Sequence, residues 1–272
     1  MSSAGELSVR GIVGLPEIGT GANLGELIAG ATELADGDVV VVSQKVVSKA
    51  EGQVRKLAAV IPGAEARKYA AVLGKEPALV ELILEESATI LRAERGVLIV
   101  ETRHGFVCAN AGIDSSNLPE PDTVCLLPVD PDASARQLRA EITKTMARAS
   151  RRGLSGHSPS RETPPGRPPT IAVVISDSFG RAWRLGQVEV AIGCAGLAPL
   201  DDWRGRRDAG GRRLEATLIA IADEAASAAD LVRDKASGVP AAVVRGLGHH
   251  VGTEDGPGAA ALRRPRDEDL FR

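Results

Sequence analysis

The chain has 272 residues, 43% of them hydrophobic and 25% charged, with a formal net charge of -3. That length can bury a sizeable core, as one large domain or two joined lobes, and the nearly balanced charge excludes the global basic field that would advertise nucleic acid. No apolar run approaches the roughly 20 residues that span a bilayer, and Met1–Glu6 is small and polar without a signal-peptide pattern.

Only 2% of residues are aromatic, so the core must be built from Val, Leu, Ile and Ala. Cys108, Cys125 and Cys194 are isolated, with no CxxC spacing for zinc or a disulfide framework. The expectation is buried free thiols in a reducing, cytoplasmic setting.

Taken in chain order, Gly19 to Gly25 resembles a dinucleotide fingerprint but has the wrong spacing and follows no clear βα turn. Val39–Val42 is a continuous apolar strand signal after the turn-like Asp36-Gly37-Asp38. Ala64 to Glu86 reads as helix interrupted around Gly74–Pro77. Val97–Val100, Arg103-His104-Gly105 and Phe106–Ala109 read as a hairpin. Val124–Leu127 is a further strand. Asp132 is a candidate N-cap for an amphipathic helix over Ala133–Arg151.

Residues 150–170 are rich in Pro, Ser, Gly and Arg and predict an extended or disordered loop, either a lobe-to-lobe linker or an insertion. Ile171–Ile175 is a buried strand. Apolar residues at helical spacing predict a helix from Thr217 to about Lys235, with Leu214 to Leu218 readable instead as a strand end. Ala241–Val244 is the last strand. The whole predicts a single mixed α/β (α+β) domain over 1–272.

Four polar segments stand where strands end: Gly14–Ile18, Ser43–Gly52, Asn110–Asn117 and Ser176–Arg184. Asp177 and Ser178, placed at a strand's carboxyl end, offer hard oxygen ligands suited to Mg2+ or Mn2+, and Asp114 offers a second carboxylate. Lys45 and Lys49 share a face if their stretch is helical and together could meet a polyphosphate. Arg181 and Arg184 are suited to clamping the substrate's phosphate or carboxylate groups, a catalytic assignment. Each segment has a plainer reading: an Asp after a strand is often a turn former, and two such lysines usually mark a solvated helix face. The adjacent His249 and His250 read as a solvent-facing loop pair. No P-loop signature is present.

The segments GLPEI, DGDVVVVSQKVVSKAEG, ANAGIDSSN, LLPVDPDASA, VVISDSFGRAWRLGQVEVAIGCAGL and ADEAASAADLV with KASGVPAAVVRGLG run in order from Gly11 to about Gly248. In them the chain resembles the coenzyme F-420 gamma-glutamyl ligase family, relative to which 153–169 is an insertion. The resemblance implies a two-lobed α/β fold forming an intertwined homodimer. It also implies GTP-dependent addition of L-glutamate to coenzyme F-420-0 through an acyl phosphate, with a divalent ion and K+. By motif match, Asp114, Asp177 and Ser178 take divalent-metal positions; Leu15, Pro16, Glu17, Ile18, Gln44, Lys49 and Asn117 take guanine-nucleotide positions. Residues 233–240 match a nucleotide-contacting loop, while Lys235 stands where some members place a metal ligand, a role a lysine cannot fill. Some relatives carry a C-terminal flavin reductase domain, so a stand-alone ligase and a ligase domain of a longer chain are both expected forms. A metal-dependent phosphotransferase or phosphohydrolase, and a deazaflavin-binding subunit without turnover, are the competing readings of the same groups.

Overall fold

The computed structural model describes residues 5–151, 168–234 and 236–270, and its core strands fall where the chain concentrates valine and isoleucine. The 153–169 insertion, apart from Pro168 and Pro169, lies outside the described residues, as does Lys235. β1 (Ser8–Gly11) leads to α1 (Leu24–Ala31), which Asn23 caps by accepting the Glu26 N–H at 3.0 Å. β2 (Val39–Ser43) runs directly into α2 (Gln44–Ala50), followed by β3 (Val54–Lys56). α3 (Ala64–Leu73) stops at Gly74, whose φ of 64° few other residues tolerate, and α4 (Pro77–Glu85) restarts on a proline. β4 (Ser87–Glu94), β5 (Val97–Thr102) and β6 (Val107–Ala109) form an antiparallel meander containing the predicted hairpin. The remaining elements are β7 (Thr123–Cys125), α5 (Pro131–Arg151), β8 (Ala172–Arg181), β9 (Arg184–Ala195), β10 (Asp201–Asp202), β11 (Leu218–Ile219), α6 (Ile221–Asp230) and β12 (Ala241–Arg245).

A five-stranded sheet in the order β1-β12-β2-β8-β9 carries the main core, with only β2 and β8 parallel. The four valines of β2 are fully buried because both faces of the sheet are covered. Val40 and Val42 pack with Leu24 and Ile28 of α1 and Leu138 and Ile142 of α5, while Val39 and Val41 pack with the alanine face of α6. A separate core joins α3 and α4 to the β4-β5-β6 sheet. The mixed α/β class is therefore observed, with an aliphatic interior as the composition requires. Among the described residues no helix is long and apolar enough to cross a membrane.

Several sequence expectations need correction. Asp132 is not the cap of α5; Asp130 accepts the Ala133 N–H at 2.9 Å. The Asp132 carboxylate instead accepts the N–H groups of Cys194, Ala259 and Ala260, tying β9 to the C-terminal segment. The helix expected from Thr217 is shorter, because Leu218 and Ile219 pair with Asp201 and Asp202. The strand begun at Ile171 does not end before Asp177 and Ser178. It continues through them to Arg181, paired with β9. Tertiary pairing decided these boundaries where local pattern was silent.

The β8–β9 ladder shifts register once in the core. Ile175 faces Gly193, but Ser176 faces Ala191, so Ile192 is a bulge residue. The Ala191 N–H is taken by Asp223 of α6 at 2.9 Å, and Ser227 donates to the Glu189 carbonyl at 2.8 Å. Helix α6 thus pins the bulge.

Gly193 beside it admits the start of α5: a Cβ there would lie 2.2 Å from the Pro131 carbonyl oxygen. Gly193→Ala is therefore expected to destabilise the fold by about 1–3 kcal/mol through overpacking against backbone. Urea denaturation measures this, and a change under about 0.5 kcal/mol would show that α5 can withdraw at no cost.

Candidate active site

β2 and β8 pair in parallel up to Ser43 and Ser176. Beyond that point β8 leaves β2 and, among the described strands, continues paired with β9 through Asp177 and Ser178. Four segments gather around this part of β8: the turn after β1, the first turns of α2, the loop after β6, and the stretch between α6 and β12. They enclose a cavity of about 780 Å³. Leu15, Pro16, Glu17, Ile18, Gln44, Lys49, Asp114, Asn117, Asp177 and Ser178, scattered over the chain, all line it. Arg181 and Arg184 do not. They sit exposed at the tip of the β8–β9 hairpin, where Arg181 donates to the Leu185 carbonyl at 3.1 Å. The assignment of these two arginines to substrate therefore has no support in the geometry of a single chain. His249 and His250 also lie away from the cavity, in a short turn with ring centroids 3.9 Å apart.

Helix α2 places Lys45 and Lys49 on one face, as their spacing requires. Neither is a solvated helix-face residue. Lys49 is 8% exposed, and its ammonium donates to the Glu17 carboxylate at 2.6 Å and the Asn117 carbonyl at 3.2 Å. Lys45 Nζ lies 2.6 Å from Asp114 Oδ2 and 2.8 Å from both Ser116 oxygens. Gln44 is buried and donates to the Leu126 carbonyl and Ser48 Oγ, each at 2.9 Å, which anchors the first turn of α2.

The loop after β6 is turned by three consecutive left-handed residues, Asn110, Ala111 and Gly112. Ala111 at φ 56° bears a steric cost of about 1–2 kcal/mol, and it is held by burial in the α3–α4 core. That turn delivers Asp114 to the cavity wall.

The acids differ in their surroundings. Burial pushes the Asp114 carboxyl up, but the Lys45 ammonium and the Ser116 donors outweigh it and leave the carboxyl below its ordinary value. Asp177 goes the other way. Burial first, then the neighbouring Glu189 and Asp114 carboxylates, push it to about 7, against weaker help from the Ser178 N–H and Lys45. Asp177 in turn adds to the burial that raises the Cys108 thiol to about 12, which makes that thiol inert at neutral pH.

Crowded carboxylates with too little positive charge are the setting a divalent cation relieves. Asp177, Asp114 and the Ser178 hydroxyl are hard oxygen donors that fit Mg2+ or Mn2+. Among the described residues no three His, Cys, Asp or Glu side chains form a metal cage. The arrangement suits an ion that takes the rest of its shell from water and substrate phosphates, the usual habit of Mg2+.

Two further residues matter here. Glu189, 6% exposed, accepts the Ser178 hydroxyl at 2.6 Å, and Arg233 donates to Glu189 at 3.1 Å and to Ser176 Oγ at 3.0 Å. Sequence reasoning missed Glu189, although it is the one charged residue in the Gln187–Ala195 strand. Its isolation in an apolar run was the available signal.

Comparison with known proteins identifies the family. The family model described as F420-0:Gamma-glutamyl ligase matches residues 12–150 and 168–246. A "Coenzyme F420:L-glutamate ligase" of Methanothermobacter thermautotrophicus is 43% identical over 272 aligned residues, covering 98% of this chain and 99% of that protein. Proteins of the same name from Methanopyrus kandleri and Methanocaldococcus jannaschii are 42% and 39% identical, covering 93% and 92% of this chain and 92% and 90% of their own. A family match over most of the chain and these near end-to-end likenesses show that the chain belongs to the F420-0:gamma-glutamyl ligase family and is a ligase.

Proposed function

We propose that this protein joins L-glutamate to the carboxylate of coenzyme F-420-0 at the expense of GTP, in coenzyme F-420 biosynthesis. One observation carries the reading: Lys45 and Lys49 meet Asp114, Asp177 and Ser178 in a single cavity large enough for more than one reactant. A carboxylate does not react with an amine unaided, since its oxygen is a poor leaving group. Transfer of the terminal phosphoryl group of GTP breaks the bond to GDP and forms an acyl phosphate on the F-420-0 carboxylate. The glutamate amine then attacks that carbonyl, a C–N bond forms, and inorganic phosphate and a proton leave.

In this reading Lys49 donates to a phosphate oxygen as a compact point charge. Leu15–Ile18, Gln44 and Asn117 shape the nucleotide pocket around it, with Glu17 and the Asn117 carbonyl already fixing the ammonium. Asp114, Asp177 and Ser178 hold the Mg2+ or Mn2+, which supplies Lewis-acid shielding of phosphate charge. The homodimer implied by the resemblance would cover the hairpin tip, where Trp183 is 82% and Leu185 98% exposed. It would also decide whether Arg181 and Arg184 reach a cavity at all.

The test is mass spectrometry of F-420-0 incubated with the protein, GTP, Mn2+ and L-glutamate. The expected result is a product heavier by glutamate residues, with GDP released only when glutamate is present. GTP consumption that ignores glutamate would instead establish a phosphohydrolase and overturn the proposal.

A further inference from the structure

We infer that Glu189 is a positioning residue, which fixes the Ser178 hydroxyl for its cation and couples it to the loop after α6. This rests on the divalent-ion reading above. Ser178 and Glu189 are direct cross-strand partners in the β8–β9 ladder. Glu189 Oε1 accepts from Ser178 Oγ at 2.6 Å, and Glu189 Oε2 accepts from Arg233 Nη2 at 3.1 Å. Both side chains of the ion pair are less than one-tenth exposed. The second guanidinium nitrogen of Arg233, Nη1, is buried without a hydrogen-bond partner among the described residues.

An ion pair taken this far out of water recovers its desolvation cost only when its remaining groups are satisfied, and apolar side chains would fill the same space at lower cost. A packing role therefore does not account for it. What the pair supplies is direction. A serine hydroxyl ligates a cation through a lone pair while its proton is given to another acceptor. Glu189 is such an acceptor, and an anionic one, so it both turns the lone pairs outward and raises the oxygen's basicity. Arg233 keeps the other carboxylate oxygen turned away, and belongs to the segment that lines the cavity between α6 and β12. The Ile192 bulge makes the pairing possible: without that extra residue, Val190 would face Ser178.

The experiment titrates Mn2+ into the nucleotide-free protein, reads free Mn2+ by electron paramagnetic resonance, and follows thermal melts beside it. Glu189→Gln is expected to weaken Mn2+ binding about 10-fold or more. It also strands the Arg233 charge, so Glu189→Gln with Arg233→Met is made as well, which removes the orphan charge and should restore the melt. Affinity should stay weak in that pair if Glu189 positions the ligand. A restored melt with Mn2+ affinity within about twofold of the parent would overturn the inference. A double-mutant cycle gives a readout that general loosening does not move: added to Ser178→Ala, Glu189→Gln should cost little further affinity, because it acts through that hydroxyl. Full additivity overturns it. Asp177→Asn separates the two levels. If it leaves Mn2+ binding unchanged, the divalent site itself is wrong. If it weakens binding and the Glu189 variants do not, only the present inference fails.

Discussion

Asp177→Asn should reduce glutamate transfer by on the order of 10²–10³-fold or more while leaving the fold intact and, at pH 8 without divalent ions, more heat-stable than the parent. The substitution keeps the side chain's shape and removes the charge a cation needs. It also removes a carboxylate that the folded chain holds at about 7 rather than 3.8, through burial and the nearby Glu189 and Asp114. A carboxyl raised on folding favours the folded state when protonated. Its stabilising contribution is therefore fully present below about pH 4 and is lost as pH rises through about 7. In chelator, the parent's melting temperature should carry a decline across that window that Asp177→Asn lacks. Added Mn2+ should recover stability in the parent alone, because an ion that binds only the folded state shifts the equilibrium toward it. Melts at pH 5.5 and 8 beside steady-state assays decide the matter. A variant with near-parental transfer excludes Asp177 as a ligand.

Lys49→Ala should raise the KM for GTP by about 10- to 100-fold, the worth of one charge-assisted hydrogen bond, with a much smaller effect on L-glutamate. If the ammonium meets charge that develops only during phosphoryl transfer, the turnover number falls too. The structure strengthens this expectation. Lys49 is buried against the cavity, while its partner Glu17, which also lines it, is a largely exposed side chain. Loss of a solvated lysine would leave kinetics untouched; loss of this one leaves Glu17 and the Asn117 carbonyl facing an incoming phosphate without a counter-charge. Kinetics with GTP and glutamate varied separately make the measurement. Unchanged GTP kinetics in a well-folded variant would remove Lys49 from the nucleotide site and weaken the assignment of Gln44 on the same helix.

Legibility differed by kind of residue. The four polar segments were readable because each is a short polar run beside an apolar strand, and residues of all four line one cavity; the nucleotide and metal roles come from the resemblance. Arg181 and Arg184 were read from residue type alone. Type says what a guanidinium can bind but not which way a hairpin tip points, and here it points to solvent. Asp132 was misread as a cap because helix starts favour Asp at neighbouring positions alike. Asp130 took that role, and Asp132 was drawn to three backbone N–H groups far along the chain.

By itself the sequence determined the mixed α/β class, the aliphatic core, most strands and helices, and the polar segments that the fold gathers at one cavity. All of these follow from periodicity, turn residues and local motif, which act over a few neighbouring positions. Tertiary structure alone decided how far β8 runs, where β2 stops pairing with it, and that Glu189 stands opposite Ser178. Those outcomes depend on strand register, and a single bulge at Ile192, held by Asp223 from a distant helix, reassigns every pairing beyond it. Side chains on a strand alternate faces with a period of two, so one extra residue exchanges Val190 for Glu189 at the cavity wall. No local pattern in the Gln187–Ala195 run encodes that exchange.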